Sequence, residues 1–383
     1  MKNIRTYDEI NNKIESGEAV VVTAEEIIGI VEEDGIKRAA EYVDVVTTGT
    51  FSPMCSSGIF LNFGHSDPPI RMQKILLNDV PAHGGLAAVD TYLGATSESL
   101  IDQRVGGSHV IEELVKGREV KLSATSKGTD CYPRTEINTW IDLNEVNDAI
   151  MYNPRNCYQN YNVAVNASGK SIKTYMGTLL PNLGNAHFST SGQLSPLLND
   201  PEFRTIGVGT RILLCGAQGY VSWNGTQHNP NVEEVNGHKM YFGGTISVMG
   251  DLKKMSPDLL RAAYLPGYGV SIFIGVGVPI PILNEDVMKN VSVRDEDIYT
   301  KVVDYSIQRR DKSVITYVNY GDLRAGHIEI DGMEVRASSI SSYAKARDIC
   351  NILKKDIGDG TFRLQEPIQD LPIDVKYNNL KVK

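Results

Sequence analysis

The apolar run from Val270 to Leu283, about 14 residues long and interrupted by Gly275, Gly277, Pro279 and Pro281, constrains the fold most. A membrane-crossing helix needs about 20 apolar residues, and glycines with prolines oppose a helix of any kind. β-Branched residues fill much of the rest, so Gly269 to Leu283 reads as a buried strand ending in a turn. A chain of 383 residues, 41% hydrophobic and 22% charged, has ample material for the core such a strand needs.

Upstream, Thr6 with Glu9 and Thr23 with Glu26 match the capping-box pattern, predicting helices from about Tyr7 and Ala24. Ala19–Val22 and Val43–Thr48 are β-branched, apolar runs that alternate with them. Ser108–Gly117 reads as a helix, Asp142 with Glu145 as another helix start, and Ser256-Pro257 as the cap of a helix over Asp258–Tyr264. Asp331-Gly332 is a hairpin signal, and Ser338–Asp356 reads as the last helix. Between about 150 and 250 the chain is rich in Gly, Asn, Thr and aromatics without helical period, which predicts strands and long loops. The expectation is an α/β protein with a mixed, mostly parallel sheet and a β-rich second half. Pro196, Asp200 and Pro201 mark a soft boundary between an α/β region, 1–200, carrying the cysteine loops and a β-rich α/β region, 201–383. A single domain remains open.

The net charge of −9 argues against nucleic acid as a partner. The start, Met1 to Glu9, lacks the apolar core of a signal peptide, so a cytoplasmic location without membrane association is expected. Familiar cofactor signatures fail. Gly169-Lys170-Ser171 has Ala164 where a phosphate loop needs glycine, and Gly207-Val208-Gly209 and Gly275-Val276-Gly277 reach Ile212 and Ile280 instead of a third glycine. The seven histidines include no His-x-x-x-His pair, and no Gly-x-Ser-x-Gly elbow occurs.

Five cysteines, an odd number without a Cys-x-x-Cys pair, should be thiols, ligands or catalysts in a cytoplasmic chain. Cys215 and Cys350 sit among apolar residues and read as core. Cys55 follows a strand within a small-residue loop, Ser52-Pro53-Met54-Cys55-Ser56-Ser57-Gly58, where a substrate can approach a thiolate and backbone N–H groups can hold an anion. Cys131 in Thr129-Asp130-Cys131-Tyr132-Pro133-Arg134 and Cys157 in Asn153-Pro154-Arg155-Asn156-Cys157 each have an arginine within three residues. Arginine favours a thiolate and binds carboxylates.

The runs TTGTF-x-x-MCSSG, NFGHSDPPI, TDCYPR, NPRNCYQ, GTQHNP, GDLKKMSPDLLRAA and GVGVPIPILNED closely resemble the homocysteine biosynthesis family of methanogens and other anaerobes, from about residue 5 to 300. The resemblance implies a sulfurtransferase that converts L-aspartate semialdehyde to homocysteine through a cysteine persulfide, aided by a small ferredoxin-domain protein. It places the reactive cysteines at Cys55 and Cys131. Some members append regulatory CBS domains, for which 383 residues leave no expected room.

Such a reaction needs a cation for the substrate carboxylate and an acid for its carbonyl oxygen; His65, Arg134 and Arg155 are the candidates. It also needs two electrons, and no flavin or nicotinamide signature supplies them, so an external reductant is implied. The site is expected where loops 50–68, 128–134 and 153–158 converge, with the Cys55 and Cys131 sulfurs lining one pocket. The alternatives are an iron–sulfur cluster on Cys55, Cys131 and Cys157, a hydrolase or acyltransferase using Cys55 with His65 as base, and a non-catalytic scaffold. The oligomeric state is left open, a homo-oligomer included.

Overall fold

The computed structural model describes residues 5–156, 159–235, 237–375 and 378–382. The apolar run forms the strand Gly269–Pro281 in the middle of a ten-stranded sheet. It pairs antiparallel with Val45–Pro53, from Val45 opposite Pro281 to Pro53 opposite Phe273. Its other edge carries Leu260–Leu265 over the first half and Arg211–Leu214 at Val276 and Gly277. Pro279 and Pro281 fall beyond these partners, where a missing N–H costs no ladder bond on that edge.

From Arg211–Leu214 the sheet continues through Ala217–Asn224, Ile246–Asp251, Asp148–Asn156, Gly58–Asn62 and Asp90–Gly94; Val21–Thr23 closes the other edge. Strands from both sides of residue 200 thus interleave, and the expected division near that point runs through a shared sheet. A second, six-stranded sheet contains Val163–Val165, Ala186–Phe188, Tyr299–Asp304, Val314–Asn319, His327–Ile330 and Met333–Ser339.

Both helices and mixed sheets are present, as an α/β reading requires, but the sheets are not mostly parallel. In the main sheet the parallel pair is Val21–Thr23 with Val45–Pro53; in the second sheet parallel pairs join Val163–Val165 to Tyr299–Asp304 and Ala186–Phe188 to Met333–Ser339. Short connections explain the excess of antiparallel pairs. Consecutive strands such as Leu260–Leu265 and Gly269–Pro281 are joined by tight turns, which only antiparallel neighbours permit. Strands are abundant in both halves of the chain.

Thr6 and Glu9 form the expected capping box of the helix Tyr7–Ser16. Buried Asp44 ties that helix to the sheet, accepting from Lys13 at 2.8 Å and from the Val20 N–H at 2.9 Å and pairing with Arg5 at 3.2 Å. Thr23 and Glu26 exchange the capping hydrogen bonds at 3.2 and 2.7 Å, though the helix is counted only from Glu26 to Tyr42. Gly107–Val115 is helical, and Asp331-Gly332 turns the hairpin with φ of 51° and 76°. Two helix expectations fail. The Asp142 carboxylate does accept from the Asn144 and Glu145 N–H groups, yet the strand Asp148–Asn156 begins before a helix can continue. Ser256 caps only the short turn Pro257–Leu259; pairing with the long strand then draws Leu260–Leu265 into the sheet. Among the described residues no helix is long and apolar enough to cross a membrane.

The helix Tyr343–Gly358, starting five residues later than expected because Met333–Ser339 is strand, lies across the two long strands. Gly49 and Gly277 are directly opposed beneath it. A Cβ at Gly49 would stand 2.6 Å from the Ala346 carbonyl oxygen, and one at Gly277 would stand 2.8 Å from Cγ2 of Ile349. Gly49→Ala must therefore push backbone from backbone and is expected to destabilise the fold by about 1–3 kcal/mol. Denaturant unfolding checks this, and an unchanged midpoint and slope would show that the helix is not seated on these glycines.

Candidate active site

Alternation along Val45–Pro53 decides which residues reach the site. Thr47 and Gly49 face the C-terminal helix, Thr47 donating to the Cys350 carbonyl at 3.0 Å. Thr50 and Ser52 point to the other side, into a buried hydroxyl network. Their hydroxyls are 2.9 Å apart; Ser52 reaches Ser341 at 2.7 Å, and Ser191 donates to Thr50 at 3.0 Å. This network floors a half-enclosed cavity of about 90 Å³.

Cys55 stands at the rim. The strand ends where the Met54 N–H donates to Ile272, and a tight turn follows in which both the backbone N–H and the hydroxyl of Ser57 donate to the Met54 carbonyl, at 3.0 and 2.7 Å. Buried Asn153 donates to the Ser57 hydroxyl at 2.9 Å. The turn holds Cys55 half-buried on the cavity wall. Arg155 arrives from a bulge: Asn153 and Asn156 pair with Val248 and Ile246, leaving one residue more on their strand than on the partner. A bulge re-aims its side chain, and Arg155 lines the cavity.

Opposite Cys55 lies Tyr268, carried by the hairpin turn between Leu260–Leu265 and Gly269–Pro281. Burial, then the charge and hydrogen bond of Cys55, hold the Tyr268 phenol above its ordinary value. Tyr175, whose ring meets that of Tyr268 edge-on at 6.0 Å, accepts from the Tyr161 hydroxyl at 3.0 Å and lies 2.8 Å from the Tyr305 hydroxyl.

The other expected site residues are placed elsewhere. His65 follows Asn62 at the far end of the strand Gly58–Asn62, whereas Cys55 precedes Gly58 at its near end. His65 is exposed and stacks on Tyr132 at 6.0 Å. Arg134 donates to the Pro68 and Asp67 carbonyls at 2.9 and 2.6 Å, fastening the loop of Cys131 to residues 67–69. Cys131 is exposed and is not among the residues lining the Cys55 cavity. Cys55 and Arg155 are thus brought together, while His65, Cys131 and Arg134 form a second group. The expected common pocket is not observed, and neither is a Cys55–His65 dyad. The strand between the two groups spans about 13 Å at 3.3 Å per residue.

Cys157 lies outside the described residues. Among those described, no group of three His, Cys, Asp or Glu side chains could hold a metal ion. Cys215 and Cys350 are buried in the core, as expected. Tyr268 escaped sequence reasoning because a tyrosine in a Pro-Gly turn reads as a surface residue. Its only signal is its place directly before the long strand, which the ladder then sets beside Cys55.

The sequence matches the family described as "Homocysteine biosynthesis enzyme, sulfur-incorporation" over residues 19–364, and the chain belongs to that family. It is 53% identical to a protein of Methanocaldococcus jannaschii named L-aspartate semialdehyde sulfurtransferase, over 96% of this chain and 73% of that relative. A Methanosarcina acetivorans protein of the same name is 51% identical, over 98% of this chain and 74% of its own length. No solved structure matches. The site accordingly belongs to an enzyme, and a rim cysteine is suited to its sulfur chemistry.

Burial pushes the Cys215 thiol up to about 12 and raises that of Cys350 further. Alkylation requires thiolate. At pH 8, iodoacetamide is expected to label Cys55 and Cys131 in the native protein and to reach Cys215 and Cys350 only after unfolding, as read by peptide mass spectrometry. Native labelling of Cys350 ahead of Cys55 would contradict this assignment.

Proposed function

We propose that the chain transfers sulfur to the aldehyde carbon of L-aspartate 4-semialdehyde, forming L-homocysteine through a persulfide on Cys55. The observation that carries this reading is Cys55 held on a cavity wall by a tight turn, with Tyr268 and Arg155 lining the same cavity. The names of the two close relatives support the substrate. Tyr268 is the proposed acid in place of His65, because it lines the cavity with Cys55 and has a proton to donate as an oxyanion forms there.

The terminal sulfur of the Cys55 persulfide attacks the aldehyde carbon, and the oxygen takes a proton. A second thiol, for which Cys131 is the candidate, attacks the Cys55 sulfur. The hemithioacetal leaves and a Cys55–Cys131 disulfide remains. Loss of water gives a thioaldehyde, and two electrons with two protons reduce it to the thiol. Sulfide then opens the disulfide and restores the persulfide with no further electrons. The reductant is external. A small ferredoxin-domain protein is the proposed donor, docking at the groove lined by Arg309, Arg310 and Lys312, which Tyr161 and Tyr175 separate from the Cys55 cavity. The groove carries Lys301, Arg309, Arg310 and Lys312 against Glu233 and Asp311, and this net positive charge on a chain of charge −9 suits an acidic donor.

The test is an anaerobic assay with sulfide, the semialdehyde and a chemical reductant. Cys55→Ser should abolish homocysteine formation while remaining folded, and full turnover by this variant would falsify the reading. Tyr268→Phe, which keeps the ring contacts, should lower kcat by about 10²-fold. After a single turnover without reductant, non-reducing peptide mapping should recover a Cys55–Cys131 cross-link. Its absence alongside normal turnover removes Cys131 from the relay.

A further inference from the structure

Among the described residues lining the Cys55 cavity and its adjoining mouth, the charged side chains are Arg155 and Glu98. Both border the same opening as Cys55 and Tyr268. They carry opposite charges, yet no salt bridge joins them to each other or to any other described residue. The nearest sequence neighbours are satisfied locally, since Arg104 pairs with Asp102 at 3.0 Å.

The backbone holds Glu98 in place. It bridges Gly106, and the flanking residues are tied by Ser99 N–H to Val105 at 3.0 Å and Gly107 N–H to Ser97 at 2.8 Å. Its carboxylate lies over Gly269: a Cβ there would stand 3.2 Å from Oε1. The carboxylate is thus next to Tyr268, on the side of the mouth where the turn leaves the backbone bare.

We propose that Glu98 binds the α-ammonium of the substrate while Arg155 takes its α-carboxylate, so that the site selects free α-amino acids. This rests on the reaction assigned above and names its specificity residue. Two unpaired opposite charges at one solvent-open mouth accept a zwitterion by charge-assisted hydrogen bonds to both ends. The hydroxyl floor offers no countercharge for an ammonium. In the semialdehyde one methylene separates the α-carbon from the aldehyde, so a head group held at the mouth leaves the aldehyde beside Cys55 and Tyr268. Arg155 alone would accept any small carboxylate; Glu98 adds the requirement for an amine.

Calorimetric titration separates this proposal from the reaction itself, because it needs unreactive ligands and no turnover. L-Homoserine carries the same head group with a hydroxyl in place of the aldehyde, and 4-hydroxybutyrate lacks the ammonium. The wild-type chain is expected to bind homoserine at least about tenfold more tightly than 4-hydroxybutyrate, charged hydrogen bonds being the stronger kind. Glu98→Gln should bring the two to similar affinity, and Arg155→Gln should weaken both. Equal binding by the wild type, undiminished homoserine binding by Glu98→Gln, or no homoserine binding at all overturns the clamp. Failure to form homocysteine would instead overturn the reaction and leave the clamp standing.

Discussion

The ladder between Val45–Pro53 and Gly269–Pro281 is the constraint on which the rest depends. It joins residues more than two hundred positions apart, and its register sets Pro53 opposite Phe273. Cys55 leaves the end of one strand and Tyr268 precedes the start of the other, so the register that aligns the apolar core also brings thiol and phenol together. A slip of one residue would turn every side chain to the opposite face. Gly49 and Gly277 would leave the helix, and Thr50 and Ser52 would leave the cavity. Fold and site are therefore specified by the same pairing.

The two faces of this ladder are built from different chemistry. Under the helix the strands offer glycine and threonine, and Ala346, Ile349 and Leu353 press into them. On the cavity side the strand offers hydroxyls, which satisfy one another through Ser191 and Ser341 and can stay buried without charge. Among the described residues, charge enters only at Arg155, which borders both cavity and mouth, and at Glu98 on the mouth. A neutral hydroxyl floor with charge at the opening holds a polar head at the entrance and excludes a second charge from the interior, where desolvation would be costly.

Features set by local chemistry were legible in the sequence. The Thr6–Glu9 box, the Asp331-Gly332 turn, the long apolar strand and the small-residue loop around Cys55 all needed only neighbours within a few residues. What could not be read depended on pairing beyond each segment's own residues. Leu260–Leu265 follows a Ser-Pro start suited to a helix, but its partner strand lies next along the chain and wins. Strand direction was misjudged because alternating helix and strand near the N-terminus suggested parallel crossovers, whereas most later strands return through tight turns. Cys131 and Cys157 looked equivalent, each within three residues of an arginine. Yet Arg134 fastens a loop to backbone carbonyls, while Arg155 projects from a bulge into the cavity. Glu98 and Tyr268 stand on turns of ordinary composition, and only the folded chain gives them a common opening.

The separation of the two cysteines bears on which of them moves in the proposed relay. Cys55 cannot shift without breaking the Met54–Ser57 turn, the Asn153 bond and the end of the ladder, all at buried or half-buried positions. The Cys131 loop is held by exposed contacts: two Arg134 hydrogen bonds to carbonyls, the Arg134 N–H to Pro69, and the stacking of Tyr132 on His65. Such bonds contribute about 0.5–1.5 kcal/mol each, and their partners are readily resolvated. Releasing the loop therefore costs only a few kcal/mol, well within what a disulfide or a docked partner can offset. In the proposed relay, Cys131 is therefore the thiol that would travel. His65 and Arg134, expected to bind substrate, are placed to govern the resting position of that loop, so their replacement would act on release of the sulfur rather than on its first attack.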